Sequence, residues 1–206
     1  MPFITCPTYP NHSYSDTFGY RFKGDILRYL SEDEGRVLEK YVDMALDLAK
    51  KSDCKESNYG VIIFKGDKIL GKAYNYVPKL DNYSCDACPR HHMDVHKGVG
   101  FEICFSIHAE EAAINDMLIA NRHSIEDSKG AKILIVRMKD GKFNRPHEQK
   151  PYCSKCSGRI YTQTLVDEVI MCSDRGFVAF GREEYHMETM KNLTENWKEQ
   201  LHITEK

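Results

Sequence analysis

His108-Ala109-Glu110 and, further on, Pro151-Tyr152-Cys153-Ser154-Lys155-Cys156 are the stretches whose residue types and spacing could do chemistry. Two cysteines three apart face the same side of a helical first turn. A helix N-terminus also favours the thiolate, the form that ligates a metal. A histidine arriving from a second helix would complete a set of one nitrogen and two sulfurs. That is the protein share of a catalytic zinc site, whose fourth tetrahedral position is left to water. Zinc lowers the pKa of such a water to around 7. Glu110, two residues from His108, is placed to take the water's proton and hand it to a leaving group. Either half alone is weak, because His-Ala-Glu arises by chance and a lone C-x-x-C can be redox-active or structural. Together, each at a strand-to-helix junction, they outweigh the bland alternative of a core histidine and an unrelated cysteine pair.

A second set of potential ligands lies upstream. Cys85 and Cys88 form another C-x-x-C, Cys104 follows, and His91, His92 and His96 stand between. A closed structural zinc site takes four ligands, such as three cysteines and one histidine. The expectation is a second zinc on Cys85, Cys88, Cys104 and His92, with His91 as the other choice for the nitrogen. The competing reading is reduced, buried cysteines beside surface histidines. Arg90 could reach a substrate phosphate, since guanidinium matches phosphate geometry. Cys6, Cys54 and Cys172 have no partner by spacing.

These residues need a scaffold. Ser31 and Glu34 have the form of a capping box. Behind them Val37, Leu38, Tyr41, Val42, Ala45 and Leu48 recur at helical spacing, which predicts a helix over 32–51. Residues 59–64 and 69–74 read as a hairpin across Lys65-Gly66-Asp67-Lys68. A helix is expected at 107–121, a strand at 131–136 and a helix from the second cysteine pair onward. Strands at 168–171 and 176–180 and a C-terminal helix from 182 complete the order. Strand–helix alternation in the second half predicts βαβ units and a mostly parallel sheet between helices. Residues 1–31, rich in Tyr9, Tyr14, Phe18, Tyr20 and Phe22, read as an N-terminal arm packed on a single domain over 32–206. That domain carries a Cys/His-rich insert at 76–105 and ends in the C-terminal helix.

Composition narrows the classes. The 206 residues carry 29 Lys+Arg against 31 Asp+Glu, a formal net charge of −2, so no global cationic field gathers polynucleotide. With 41% hydrophobic and 29% charged residues the chain reads as globular rather than disordered. No apolar run approaches the roughly 18–20 residues of a membrane span. The N-terminal residues lack the basic and apolar regions of a secretion signal. A cytoplasmic location is the expectation, and there eight cysteines read as ligands rather than disulfides.

Residues 32–182 resemble the cytidine deaminase superfamily, and within it the deoxycytidylate (dCMP) deaminases. The likeness rests on Asn75 after the second strand, on Ile107-His108-Ala109-Glu110-Glu111-Ala112-Ala113-Ile114 and on Pro151-Tyr152-Cys153-Ser154-Lys155-Cys156. Cys88-Pro89-Arg90 and Glu102-Ile103-Cys104 resemble the cysteine-containing insert of many microbial and viral members. Three positions depart from the pattern: Tyr76 stands at a usual glycine, Glu111-Ala112 replaces the usual continuation, and Tyr152 separates the proline from Cys153. The resemblance implies a three-layer α/β/α sandwich around a mixed five-stranded sheet. It implies zinc on His108, Cys153 and Cys156, proton transfer by Glu110, a sugar contact from Asn75, and a homo-oligomer. The implied reaction adds hydroxide to C4 of a cytosine ring while Glu110 donates to N3, then relays a proton to the departing ammonia. A free nucleotide, dCMP giving dUMP, is the expected substrate. Alternatives are a different amino-substituted base or nucleoside, or a base in RNA or single-stranded DNA gripped by Lys139, Lys142, Phe143, Arg145, His147 and Lys150. A non-catalytic zinc-stabilised interaction module is the third reading, but it would have no use for Glu110.

Overall fold

Side-chain alternation along the strands decides the layers. In a strand, neighbouring residues face opposite sides of the sheet. Val61 and Ile63 therefore join one buried cluster while Ile62 and Phe64 join another, and Ile133 and Ile135 separate from Leu134 and Val136 in the same way. Both faces being apolar, both must be covered by helices. The computed structural model describes residues 28–81, 84–95 and 98–202. The aromatic arm up to residue 27, Cys6 and His96 lie outside the described residues.

The chain enters through β1 (Arg28–Tyr29) and turns into α1 (Glu32–Ala49). The capping box forms as its residues require. Glu34 donates its backbone N–H to Ser31 Oγ at 3.3 Å, and the Ser31 N–H donates to Glu34 Oε2 at 2.9 Å. The buried side of α1, with Leu38, Tyr41, Val42 and Ala45, covers one face of the sheet. The hairpin of β2 (Asn58–Lys65) and β3 (Lys68–Tyr74) follows. Gly66, at φ +55°, takes the left-handed conformation that lets this two-residue loop close.

After the insert come α2 (Ala109–Asn115), β4 (Lys132–Lys139), β5 (Lys142–Phe143), α3 (Ser154–Gln163), β6 (Glu168–Ser173), β7 (Gly176–Gly181) and α4 (Arg182–Gln200). Helix α2 passes directly into a π-turn at Asp116–Ala120, so the expected single helix over 107–121 is a shorter α-helix with a widened end. Ala109, Ala113 and Ile114 of α2, Ile160 of α3 and Tyr185 of α4 pack in the second cluster, opposite α1. Three layers result.

The strand order is β1-β7-β6-β4-β2-β3, with β5 paired to the end of β4. The five longer strands, β3-β2-β4-β6-β7, are the expected mixed sheet, and two two-residue strands extend it. The expectation of mostly parallel pairing is corrected. Among the described residues only β4 and β6 run parallel; the remaining named pairs are antiparallel. Link length decides this. The β4-to-β6 connection contains a helix and can cross over. Asp174-Arg175, between β6 and β7, can only reverse the chain. Among the described residues no helix is long and apolar enough to cross a membrane.

Candidate active site

Two helix N-termini meet at one end of the sheet. Past β3, Tyr76 and Ile107 exchange backbone hydrogen bonds of 3.1 and 2.8 Å, holding the approach to α2 in extended form. His108 is therefore the N-cap of α2. Cys153 is the N-cap of α3, its sulfur accepting the Cys156 N–H at 3.2 Å. His108 Nδ1 lies 3.0 Å from Cys156 Sγ and 3.2 Å from Cys153 Sγ. Among the described residues this is the only group of three or more His, Cys, Asp or Glu side chains whose ligand atoms all fall within 4.8 Å of one another. One imidazole and two thiols form a zinc donor set, and three protein donors leave the fourth position to water, as catalytic zinc requires. The residues fit the ion.

The crowding of these groups shifts their ionisation. The Cys153 thiol is held down to about 5, chiefly by its hydrogen bond with Cys156 and then by His108. Burial pushes Cys156 well above the usual thiol range. Burial opposes a charged His108, but hydrogen bonds with Cys104 and Cys153 outweigh it and raise the imidazole to about 10. The Glu110 carboxyl, in contact with the Cys156 thiol, is pushed above the ordinary carboxylate range by burial and then by Cys153. A carboxyl that holds its proton more tightly than a free one suits a group that must both take and return a proton. Tyr185, from α4, is buried close enough to Glu110, Cys156 and Cys153 for their charges to raise its hydroxyl further, after burial itself. Helical spacing shows Tyr185 only as an apolar-face residue.

The other candidates are placed as follows. Asn75 is 5% exposed. Its Oδ1 accepts the Tyr59 N–H at 2.7 Å and its Nδ2 donates to Ser57 O at 2.9 Å. One amide hydrogen and one lone pair remain. The Arg90 guanidinium stacks 4.7 Å over the Phe101 ring while its Nε donates to Val99 O at 3.1 Å. Cys85, Cys88, Cys104 and His92 do not gather in one place. Cys85 Sγ sits 3.1 Å from His91 Nε2 and 4.0 Å from Cys54 Sγ. His92 turns its Nε2 to the Asp86 carbonyl at 3.0 Å instead. Cys88 contacts Cys104, which reaches His108. Cys54 carries no spacing signal, because the loop after α1 delivers it from far along the chain.

Glu111 also escaped the sequence reading. It is 8% exposed, with Oε1 at 2.5 Å from Arg159 Nη1 and Oε2 at 2.7 Å from Lys155 Nζ. Arg159 Nη2 further donates to Asn115 Oδ1 at 2.9 Å. This cluster ties α2, which carries Glu110, to α3, which carries Cys156. Breaking a buried pair by removing one partner typically costs about 3–5 kcal/mol. Solvent around the half-exposed Lys155 lowers that here, so Glu111→Gln is expected to cost about 1–3 kcal/mol. Urea unfolding measures it; an unchanged midpoint would show that the clamp contributes nothing.

Residues 36–173 match the model of the cytidine and deoxycytidylate deaminase zinc-binding region. Deoxycytidylate deaminase of Mycobacterium phage D29 is 31% identical over 104 residues, covering 48% of this chain and 76% of that protein. Deoxycytidylate deaminase of Schizosaccharomyces pombe is 29% identical over 75 residues, covering 36% of this chain and 23% of that protein. The dCMP deaminase of cyanophage S-TIM5, crystallised with dCMP and dUMP, superposes with a TM-score of 0.46 at 19% identity, covering 77% of this chain and 92% of that one. With the family match spanning well over half of the chain and a zinc donor set assembled inside it, this protein belongs to the cytidine and deoxycytidylate deaminase family and is a zinc-dependent deaminase.

Proposed function

We propose that this chain hydrolyses the exocyclic amine of a cytosine-containing free nucleotide, dCMP plus water giving dUMP plus ammonia. The observation that carries the reading is the half-buried Glu110 carboxyl beside three convergent donors, His108, Cys153 and Cys156. Zinc held by those three supplies Lewis acidity that makes a water nucleophilic at neutral pH. Glu110 does the rest of the proton work. Its carboxylate accepts a proton from the attacking water, and its acid form donates to N3 as the new C–O bond forms at C4. It then collects the remaining hydroxyl proton and delivers it to the amino group. The C4–N bond breaks and ammonia leaves. Asn75 keeps one amide hydrogen for the sugar.

Two relatives named deoxycytidylate deaminase support the nucleotide substrate. The net charge of −2 argues against a polynucleotide. Ammonia release should be measured with dCMP, CMP, dCTP, cytidine, guanine, adenosine and single-stranded RNA. Turnover of dCMP well above cytidine is expected. Silence on every monomer, with release from RNA, would move the assignment to a polynucleotide base.

A second, structural zinc also belongs to this reading: the nearest donors are Cys85 and His91, with Cys54 and Cys88 beside Cys85, although they do not close within 4.8 Å as His108, Cys153 and Cys156 do. Its support is His91, whose Nε2 meets Cys85 while its Nδ1 lies 3.3 Å from Glu56 Oε1. A ligating histidine typically directs its other ring nitrogen to a carboxylate in this way. Metal analysis should find two zinc ions per chain, falling to one in Cys54→Ala; one in the parent protein would remove the second site. The resemblance further suggests a homo-oligomer, which sedimentation would test.

A further inference from the structure

We infer that Arg90 and Phe101 are positioning residues for the catalytic metal: with Arg90 stacked on Phe101 and Phe101 set at right angles against His108, they make the insert a brace for the ligand set. The inference rests on the zinc-dependent reading of His108, Cys153 and Cys156.

A histidine N-cap has a ring that can rotate about its outer torsion, which is broad and roughly two-fold. Rotation would swing Nδ1 away from the two sulfurs. Nothing in α2 itself prevents this, since His108 makes no capping hydrogen bond with its side chain. The insert supplies the restraint. The Phe101 ring meets the His108 ring at 5.1 Å and 89°, the edge-to-face geometry that aromatic pairs prefer. Phe101 is fixed in turn by the Arg90 guanidinium 4.7 Å from its centroid, a cation over a π face. Arg90 is anchored by its Nε to Val99 O, and Val99 is itself 3% exposed.

The same segment also touches the other ligand arm. Gly98, at φ +82°, lies so close to Tyr152 that a Cβ on it would stand 2.7 Å from Tyr152 Cβ. Tyr152 immediately precedes Cys153. Residues 98–104 therefore bridge from the cysteine arm to the histidine arm, and the Cys104 thiol reaches His108 as well. Arg90 meets this brace through stacking and a backbone hydrogen bond from Nε.

The test compares Phe101→Ala, Phe101→Tyr, Arg90→Met and Arg90→Lys with the parent holoenzyme. Zinc release to a competing chelator and the absorption spectrum of cobalt-exchanged protein are read first, because neither needs a substrate. Phe101→Ala should lose zinc about 10–100-fold more readily, the usual effect of removing an outer-shell partner of a metal ligand. Its cobalt bands should also shift. Phe101→Tyr keeps the ring and should restore both. Arg90→Met should show a smaller loss of metal affinity, with kcat falling more than KM for dCMP. Parent-like zinc release and cobalt spectra in Phe101→Ala would overturn the inference. So would an Arg90→Met variant that raises KM for dCMP, spares deoxycytidine and leaves metal affinity unchanged, since that is the signature of a phosphate contact. Failure to turn over dCMP in the parent protein would refute the substrate and leave the metal readouts to judge the brace.

Discussion

Glu110→Gln is expected to retain zinc at the parent stoichiometry and lose about 10²–10⁴-fold in turnover, the usual contribution of a positioned general acid–base. Glutamine keeps the size of the side chain and one oxygen acceptor, so the packing beside Cys156 survives. It cannot carry the proton from water to N3 and then to the departing amine. Burial raises the Glu110 carboxyl above its ordinary range. The donors themselves, His108, Cys153 and Cys156, are untouched by the change. Metal content and ammonia release measured on the same preparation separate the two roles. Loss of both would make Glu110 a structural support of the metal, and full turnover would exclude it from the reaction.

The largest expected effect on stability comes from a glycine of β2 that faces α1. A Cβ built on Gly60 would stand 1.8 Å from the Ala45 carbonyl oxygen and 2.7 Å from its carbon. Both are backbone atoms of α1, so no side chain can swing aside. Helix α1 must lift from β2, opening the packing of Ala45, Ile62 and Val136 in that layer. Overpacking of this kind costs typically 1–3 kcal/mol and occasionally more. Because the obstacle is backbone, Gly60→Ala should cost about 3 kcal/mol or more, lowering Tm by about 6–12 °C for a chain of this size. Gly66→Ala is the control. It meets nothing within 4 Å but sits at φ +55°, so it should lose only about 1 kcal/mol, the cost of a left-handed residue. Parent-like melting of Gly60→Ala would mean that α1 does not rest so closely on β2.

Legibility differed sharply from feature to feature. Elements whose signal is local were readable. The Ser31/Glu34 box and the spacing of Leu38, Tyr41 and Val42 marked α1, and Gly66 marked the hairpin loop. Arg28–Tyr29 and Lys142–Phe143 were not readable, because a two-residue strand has no period and exists only through its partner. The parallel expectation failed because alternation of strands and helices says nothing about a two-residue link such as Asp174-Arg175. Glu111 was passed over for a similar reason. Its partners Arg159 and Lys155 are close only after α2 and α3 pack.

By itself the sequence determined the chemistry of the centre. His108, Glu110, Cys153 and Cys156 announce a zinc donor set and a proton carrier through residue type and short spacing, which the peptide backbone converts directly into shared helical faces. Tertiary structure alone decided which groups surround that centre. It divided the upstream cysteines, sending Cys85 to Cys54 and His91, and Cys88 with Cys104 toward His108. It also laid Phe101 against the catalytic histidine, and Arg90 over Phe101. The physical reason is range. Spacing governs contacts within a turn or a hairpin, whereas neighbours supplied by separate segments are chosen by how the whole chain buries its apolar surface.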